Sequence, residues 1–192
     1  MFVYEKRISF PINITKTDLK MANSLYAQLG GPNGELGACL RYFAQSFTMP
    51  DERGRQLLKD IATEEMGHVE MICTMINMLT KNASPEDFVK EGFSCSYVTN
   101  GKAVGLHDCN GVNFSTDGIG ITGDYKADLT EDMAAEERAR ANYEHLIDIS
   151  TNPEVTSVLL FLRQREIVHY NRFKDLLKSY QEKKTCPKIK RA

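Results

Sequence analysis

Two Glu-x-x-His pairs, Glu65/His68 and Glu166/His169, interrupt stretches that are otherwise apolar at helical spacing. The first stretch reads Leu58, Ile61, Glu65, His68, Ile72, Met75, Leu79, in alternating steps of three and four. The second reads Val155, Leu159, Leu162, Glu166, His169, Phe173, Leu176, Tyr180. This pattern is the buried face of a helix, and the i, i+3 spacing turns both members of each pair onto that face. A carboxylate in a dry core is costly unless it is paired or bound to a cation. Two inward-facing pairs of the same kind call for one explanation.

Two further carboxylates complete a pattern. Glu35 precedes Glu65 by 30 positions, Glu136 precedes Glu166 by 30, and the two halves are offset by 101, as are His68 and His169. The chain thus repeats a lone Glu followed by Glu-x-x-His. Four Glu and two His converging in a helical bundle form the ligand set of di-iron and di-manganese carboxylate proteins. Carboxylate oxygens suit metal ions in the +2 and +3 states and can bridge two of them. One imidazole per ion adds a neutral ligand.

The elements that must position these groups follow from periodicity and breakers. Residues 2–14 read as an extended arm, with Val3, Ile8, Phe10, Ile12 and Ile14 roughly alternating with polar positions. Helical spacing runs from Thr17 to Leu29, breaks at Gly30-Gly31-Pro32-Asn33-Gly34, and resumes from Glu35 to Met49. Pro50 and Asp51 mark a boundary before a long helix from Glu52 to Leu79. Residues 81–123 hold 7 of the 13 glycines and read as an irregular excursion. A third long helix is predicted from Tyr125 to Ser150 and a fourth from Asn152-Pro153 to Tyr180, with Pro in its first turn. The expected fold is all-α: a ferritin-like four-helix bundle with a long crossover between helix pairs and an extended N-terminal arm. Residues 1–180 form one domain in this reading, and residues 181–192 a basic, frayed tail.

Composition narrows the function. With 192 residues, 42% hydrophobic and 26% charged, the chain has the make-up of a globular domain, which excludes bulk disorder. Its net charge of −2, without a basic block, argues against a nucleic-acid partner. No apolar run approaches the roughly 20 residues of a membrane span. Met1–Phe10 carries Glu5, Lys6 and Arg7 and lacks a signal peptide's apolar core, so cytoplasmic synthesis is expected. The five cysteines form no Cys-x-x-Cys pair and read as reduced, small buried hydrophobes. That absence also argues against a rubredoxin-type electron-transfer module.

Other candidates are weaker. Glu64 lies at i, i+4 from His68 but off the strict stripe, and reads as an outer support or a structural residue. Glu144 and His145 are adjacent and point apart, as a solvated pair. His107 has no evident partner in the excursion. Gly118-Ile-Gly-Ile-Thr-Gly123 matches G-x-G-x-x-G but follows no buried strand, so dinucleotide binding is not expected.

Thr63-Glu-Glu-Met-Gly-His-Val-Glu-Met-Ile72 resembles a signature of the manganese (non-haem, dimanganese) catalases. Gly30-Gly-Pro-Asn-Gly-Glu35, Ala134-Ala-Glu-Glu-Arg-Ala-Arg140 and Arg165-Glu-Ile-Val-His169 resemble its other metal segments, in order and spacing. The likeness extends to about Tyr180, and the short length is most similar to the family's spore-coat branch. It implies two manganese ions per chain: Glu65 bridges them, Glu35 and His68 complete one set of ligands, and Glu136 and His169 complete the other. It implies that Glu166 is not a ligand but the catalytic acid–base, which amends the symmetric six-ligand reading. It further implies disproportionation of hydrogen peroxide to water and dioxygen, a homohexamer joined through the arm and the excursion, and contacts with other spore-coat proteins. The chain departs from some members at Ala135, where they carry an Arg that closes the channel electrostatically.

Two other readings use the same residues. Iron is the alternative metal, in a ferritin-like oxidase, peroxidase or storage subunit, because the donor types accept both metals. A coat protein that keeps the fold for assembly is the non-enzymatic alternative, with Lys183, Lys184, Lys188, Lys190 and Arg191 available for contacts. The ligand reading predicts that Glu65→Ala or His68→Ala loses metal and peroxide turnover together. Elemental analysis beside an oxygen electrode checks it, and full activity in metal-free Glu65→Ala overturns it.

Overall fold

The computed structural model describes residues 8–185. Every regular element among them is helical, apart from one isolated bridge between His107 and Asn113. The helices are α1 (Leu19–Leu29), α2 (Glu35–Gln45), α3 (Glu52–Thr80), α4 (Pro85–Lys90), α5 (Ser94–Asn100), α6 (Tyr125–Ile149) and α7 (Pro153–Thr185). No helix among the described residues is long and apolar enough to cross a membrane.

Local chemistry accounts for the boundaries. Asp18, Asp51 and Asp124 cap α1, α3 and α6 by accepting from the backbone N–H groups of Met21, of Gly54, and of Lys126 and Ala127. Asn152 accepts from Glu154 N–H at 2.9 Å ahead of Pro153, which occupies the first turn of α7. Gly30 and Gly31 break the first rod because side chains do not fit there. A Cβ on Gly30 would sit 2.5 Å from the His107 carbonyl oxygen, and one on Gly31 2.3 Å from that of Ala27. The helix expected through Met49 instead ends at Gln45 and tightens into a 3-10 turn over Ser46–Thr48.

The four rods of the ferritin-like bundle are α1–α2 in succession, α3, α6 and α7. α1 packs on the C-terminal half of α3, where Asp18 N–H donates to the Leu79 carbonyl at 3.0 Å, and α2 packs on its N-terminal half. α6 and α7 form the other antiparallel pair. Two apolar clusters fill the interior. One gathers α1, the second half of α3 and the start of α7 around Tyr26, Ile72, Met75, Leu159 and Leu162. The other joins Tyr42, Leu58, Ile61, Leu129, Phe173 and Leu176 at the opposite end. The Glu-x-x-His pairs fall between them.

The arm has no regular structure over residues 8–18, as expected of extended chain, and it is anchored. Ile14 is buried, Ile8, Phe10 and Ile12 pack on the first cluster, and Thr15 N–H donates to Glu154 at 2.8 Å. Residues 1–7 of the arm lie outside the described residues, as do residues 186–192 of the tail. The last helix continues to Thr185, beyond the Tyr180 expected from its stripe, with Lys178 and Glu182 paired at i, i+4.

The excursion corrects its sequence reading in two respects. It contains α4, opened by a Ser84–Asp87 capping box, and α5, and it buries Phe88 and Phe93 in the first cluster. His107, for which the sequence offered no partner, is 5% exposed and stacks on Tyr26 with centroids 4.1 Å apart. Its Nδ1 donates to the Asp108 carbonyl at 2.8 Å, and its Nε2 hydrogen-bonds Ser96 Oγ at 3.1 Å. The Gly118–Gly123 run is a loop leading to the α6 cap, with no strand before it. His107 therefore ties the excursion to α1. His107→Ala is expected to cost about 2 kcal/mol through the lost stack and the stranded Ser96 hydroxyl. Thermal denaturation and proteolysis within residues 94–118 measure it; unchanged stability and protease resistance would contradict the tie.

Candidate metal centre

All six residues singled out by the repeat meet in the middle of the bundle. Glu35 comes from α2, Glu65 and His68 from α3, Glu136 from α6, and Glu166 and His169 from α7. Each is at most 2% exposed. Glu65 stands between the imidazoles: its Oε2 is 2.7 Å from His68 Nδ1 and its Oε1 is 2.7 Å from His169 Nδ1. Glu35 and Glu166 approach His68 Nδ1 at 3.7 and 3.8 Å, and Glu136 approaches His169 Nδ1 at 3.6 Å. The two rings stack with centroids 5.7 Å apart.

These residues form two overlapping donor sets, Glu35/Glu65/His68/Glu166 and Glu65/Glu136/Glu166/His169. Within each set one donor atom per residue lies within 4.8 Å of the others. Both oxygens of Glu65 and of Glu136, both nitrogens of each histidine and Glu166 Oε1 lack a hydrogen-bond partner among the described residues. Buried polar atoms converging without hydrogen bonds are what a cation-binding site requires. The oxygen-rich set with one imidazole on each side fits divalent first-row ions of the manganese or iron type.

Protons occupy this charge pattern when metal does not. Burial opposes ionisation of Glu65, but the His169 and His68 charges outweigh it and hold the carboxyl below its usual range. Burial likewise opposes charging of His68, yet Glu65 and Glu35 push it up to about 10. His169 is driven up in the same way by Glu65 and Glu136, against burial. Burial, then the Glu65 charge, raises Glu35 to about 7 and raises Glu136. Burial and the neighbouring Glu35 and Glu65 push Glu166 well above the carboxylate range.

The next layer holds the ligand candidates in place. Glu64 lies 3.2 Å from His169 Nε2 and 3.9 Å from His68 Nε2, behind both rings, and accepts from Arg165 Nε at 2.5 Å. Burial would raise Glu64, but His169 and Arg165 bring it to about 2. The outer support read from sequence for His68 alone thus serves both histidines, leaving both Nδ1 atoms facing inward. Tyr143 Oη donates to Glu35 Oε1, and the Tyr42 hydroxyl stands against Glu136. Neither tyrosine is singled out by the sequence pattern that marks the six central residues. Their own offset of 101 was the available signal.

A second buried polar group also escaped the sequence reading. Asp128, Asp132, Arg41 and Gln45 are each at most 5% exposed, beyond Glu136. Asp128 accepts from the backbone and hydroxyl of Thr122, while both oxygens of Asp132 lack partners among the described residues. The steps of four from Asp128 through Asp132 to Glu136 along α6 carried the signal. Glu144 and His145 stay apart from the centre. Glu144 pairs with Arg140 at 2.8 Å on the surface, and His145 borders a surface cleft of about 460 Å³ beside Asn23, Cys109 and Asn142. The described cysteines Cys39, Cys73, Cys95 and Cys109 form no disulfide.

Comparison with known proteins gives the family. The family described as "Manganese containing catalase" matches residues 1–189. Protein CotJC of Bacillus subtilis is 45% identical over 98% of this chain and 100% of its own length. A probable manganese catalase of Clostridium acetobutylicum is 33% identical over 92% of this chain and 80% of its own. The crystal structure of KatB, a manganese catalase from Anabaena, superposes with a TM-score of 0.85 at 32% identity, covering 100% of this chain and 86% of that one. Matched along nearly its whole length in sequence and in fold, the chain belongs to the manganese-containing catalase family.

Proposed function

We propose that this chain binds two manganese ions and disproportionates hydrogen peroxide to water and dioxygen. The observation that carries the reading is Glu65, whose two oxygens face the two inward imidazole nitrogens from between two overlapping donor sets. In this assignment Glu65 would be shared by the two ions, with Glu35 and His68 holding one and Glu136 and His169 the other. Bound manganese would supply the two-electron redox chemistry that disproportionation requires.

The chain's residues do the rest. Glu166 belongs to both donor sets and, in the metal-free chain, is pushed by burial and by Glu35 and Glu65 toward its protonated form. That suits a group that hands a proton to the departing oxygen of one peroxide and takes one from the next. Glu64, braced by Arg165, fixes both imidazoles from behind, and Tyr143 orients Glu35. The centre lies between two apolar clusters, which keep bulk water from the reacting oxygens.

We assign the chain to the short, spore-coat branch of the family, with a homohexameric assembly. Similarity supports the branch: CotJC is 45% identical to this chain, whereas the manganese catalase of Lactiplantibacillus plantarum is 29% identical.

Protein produced with manganese is expected to carry about two manganese per chain and to release oxygen from peroxide in the presence of cyanide. Two metals without oxygen release would favour the iron-handling reading, and a folded chain without metal the structural coat reading. Glu166→Gln should retain its manganese and lose on the order of 100-fold in kcat; loss of metal instead would make Glu166 a ligand.

Acidity provides a separate test. Glu35 and His68 have folded-state pKa values raised to about 7 and about 10. Their stabilisation of the metal-free chain is complete below the unfolded values, about 4.5 for Glu and 6.5 for His, and is lost as pH rises through the raised ones. Metal must displace these protons, so its stabilisation grows with pH. The difference in Tm between manganese-loaded and metal-free protein should widen from pH 5.5 to about pH 8. Calorimetric melts measure it, and a constant gap would contradict the proposed ligands.

A further inference from the structure

Two hollows share Arg41 in their linings. The outer one is a surface cleft of about 210 Å³ between the start of α2 and the loop that includes Asp108 and Phe114. The inner one, about 10 Å³, reaches Glu35 and Glu166. Pro32 and Arg41 line both. An inner space of that volume holds about one water-sized molecule. It suits species of very few atoms and excludes organic substrates.

Arg41 is 5% exposed, and its Nε has no hydrogen-bond partner among the described residues. Burying a guanidinium with an unused donor is costly, and such a donor is a ready site for an anionic or strongly polar oxygen or nitrogen species. Asp132 lies within electrostatic reach of Arg41, but both its oxygens also remain without partners among the described residues, so the two do not satisfy each other. Ala135 lines the same inner hollow and contributes no charge to it.

We propose that Arg41 is the specificity-determining residue of the entry path: its guanidinium, at the neck between the outer cleft and the inner hollow, binds small anions and turns away small cations. This deepens the proposed function and rests on it, since the path ends at the proposed manganese pair. A fixed positive charge in a low-dielectric neck concentrates anions and repels cations, while neutral peroxide meets it only as a hydrogen-bond donor. The loop beyond Asp108 thereby gains a role as the outer wall of the path.

Azide is the anionic probe and hydrazinium a small cationic one. Each is titrated calorimetrically into the manganese-loaded protein, a readout that needs no turnover. In the unaltered chain azide should bind and hydrazinium should not; equal binding of the two overturns the proposal. Arg41→Gln should weaken azide binding by about tenfold with manganese content unchanged, whereas Arg41→Lys, which keeps the charge, should weaken it less. Arg41→Met, similar in length and apolar, is the companion variant if the Gln variant does not fold. Azide binding indifferent to all three substitutions would overturn the role of Arg41 even in an active catalase. Azide binding that depends on Arg41 in a chain that releases no oxygen would support the neck and remove the catalase reading.

Discussion

A carboxylate held between two imidazoles in the middle of an apolar bundle is the constraint on which this structure turns. Glu65, His68 and His169 are each fully buried, and three more carboxyls surround them. Such a cluster opposes folding unless protons or cations balance it. The bundle accommodates it by splitting its core. Apolar clusters at the two ends provide the burial that stabilises the fold, and the polar centre occupies the gap between them. The centre is therefore rigidly framed yet electrostatically unfinished, which is the condition of a site built to receive metal ions.

The two halves of the molecule support the centre by exchanging side chains. Tyr143 on α6 reaches Glu35 on α2, and Tyr42 on α2 stands against Glu136 on α6. Each half thus steadies the other half's lone glutamate. The duplication breaks at one informative place. Glu64 and Arg165 occupy equivalent positions, 101 residues apart, and they pair with each other. A second carboxylate at position 165 would have added like charge behind the histidines. An arginine there instead holds Glu64 ionised and in place beside both rings.

Segments outside the bundle close it. The arm lies along the first apolar cluster and is pinned to Glu154 at the start of α7. The excursion buries Phe88 and Phe93, locks onto α1 through His107, and brings its later loop to the cleft that leads to Arg41. Gly30 and Gly31 serve both purposes. Gly30 lets His107 approach α1, and the pair ends that helix so that Glu35 begins the next one facing the centre.

Periodicity and spacing determined the long helices, the break before Glu35, the all-α class and the six residues of the centre. These features are local or repeated. An amphipathic stripe shows which residues face inward, and a carboxylate on that stripe is conspicuous because burial penalises it. The excursion was harder to read. Its glycines signal turns, while α4 and α5 are too short to generate a periodic pattern. The rest depended on distances between residues far apart in sequence, which no local pattern encodes. Only the tertiary structure set Glu65 between both histidines, carried Glu64 to the second ring, turned Tyr42 and Tyr143 across the bundle, gave His107 its partners, and placed Arg41 at the neck. Sequence specifies which face of a helix is buried; the packing of four rods decides which buried groups meet, and the low dielectric between them makes those meetings chemically consequential.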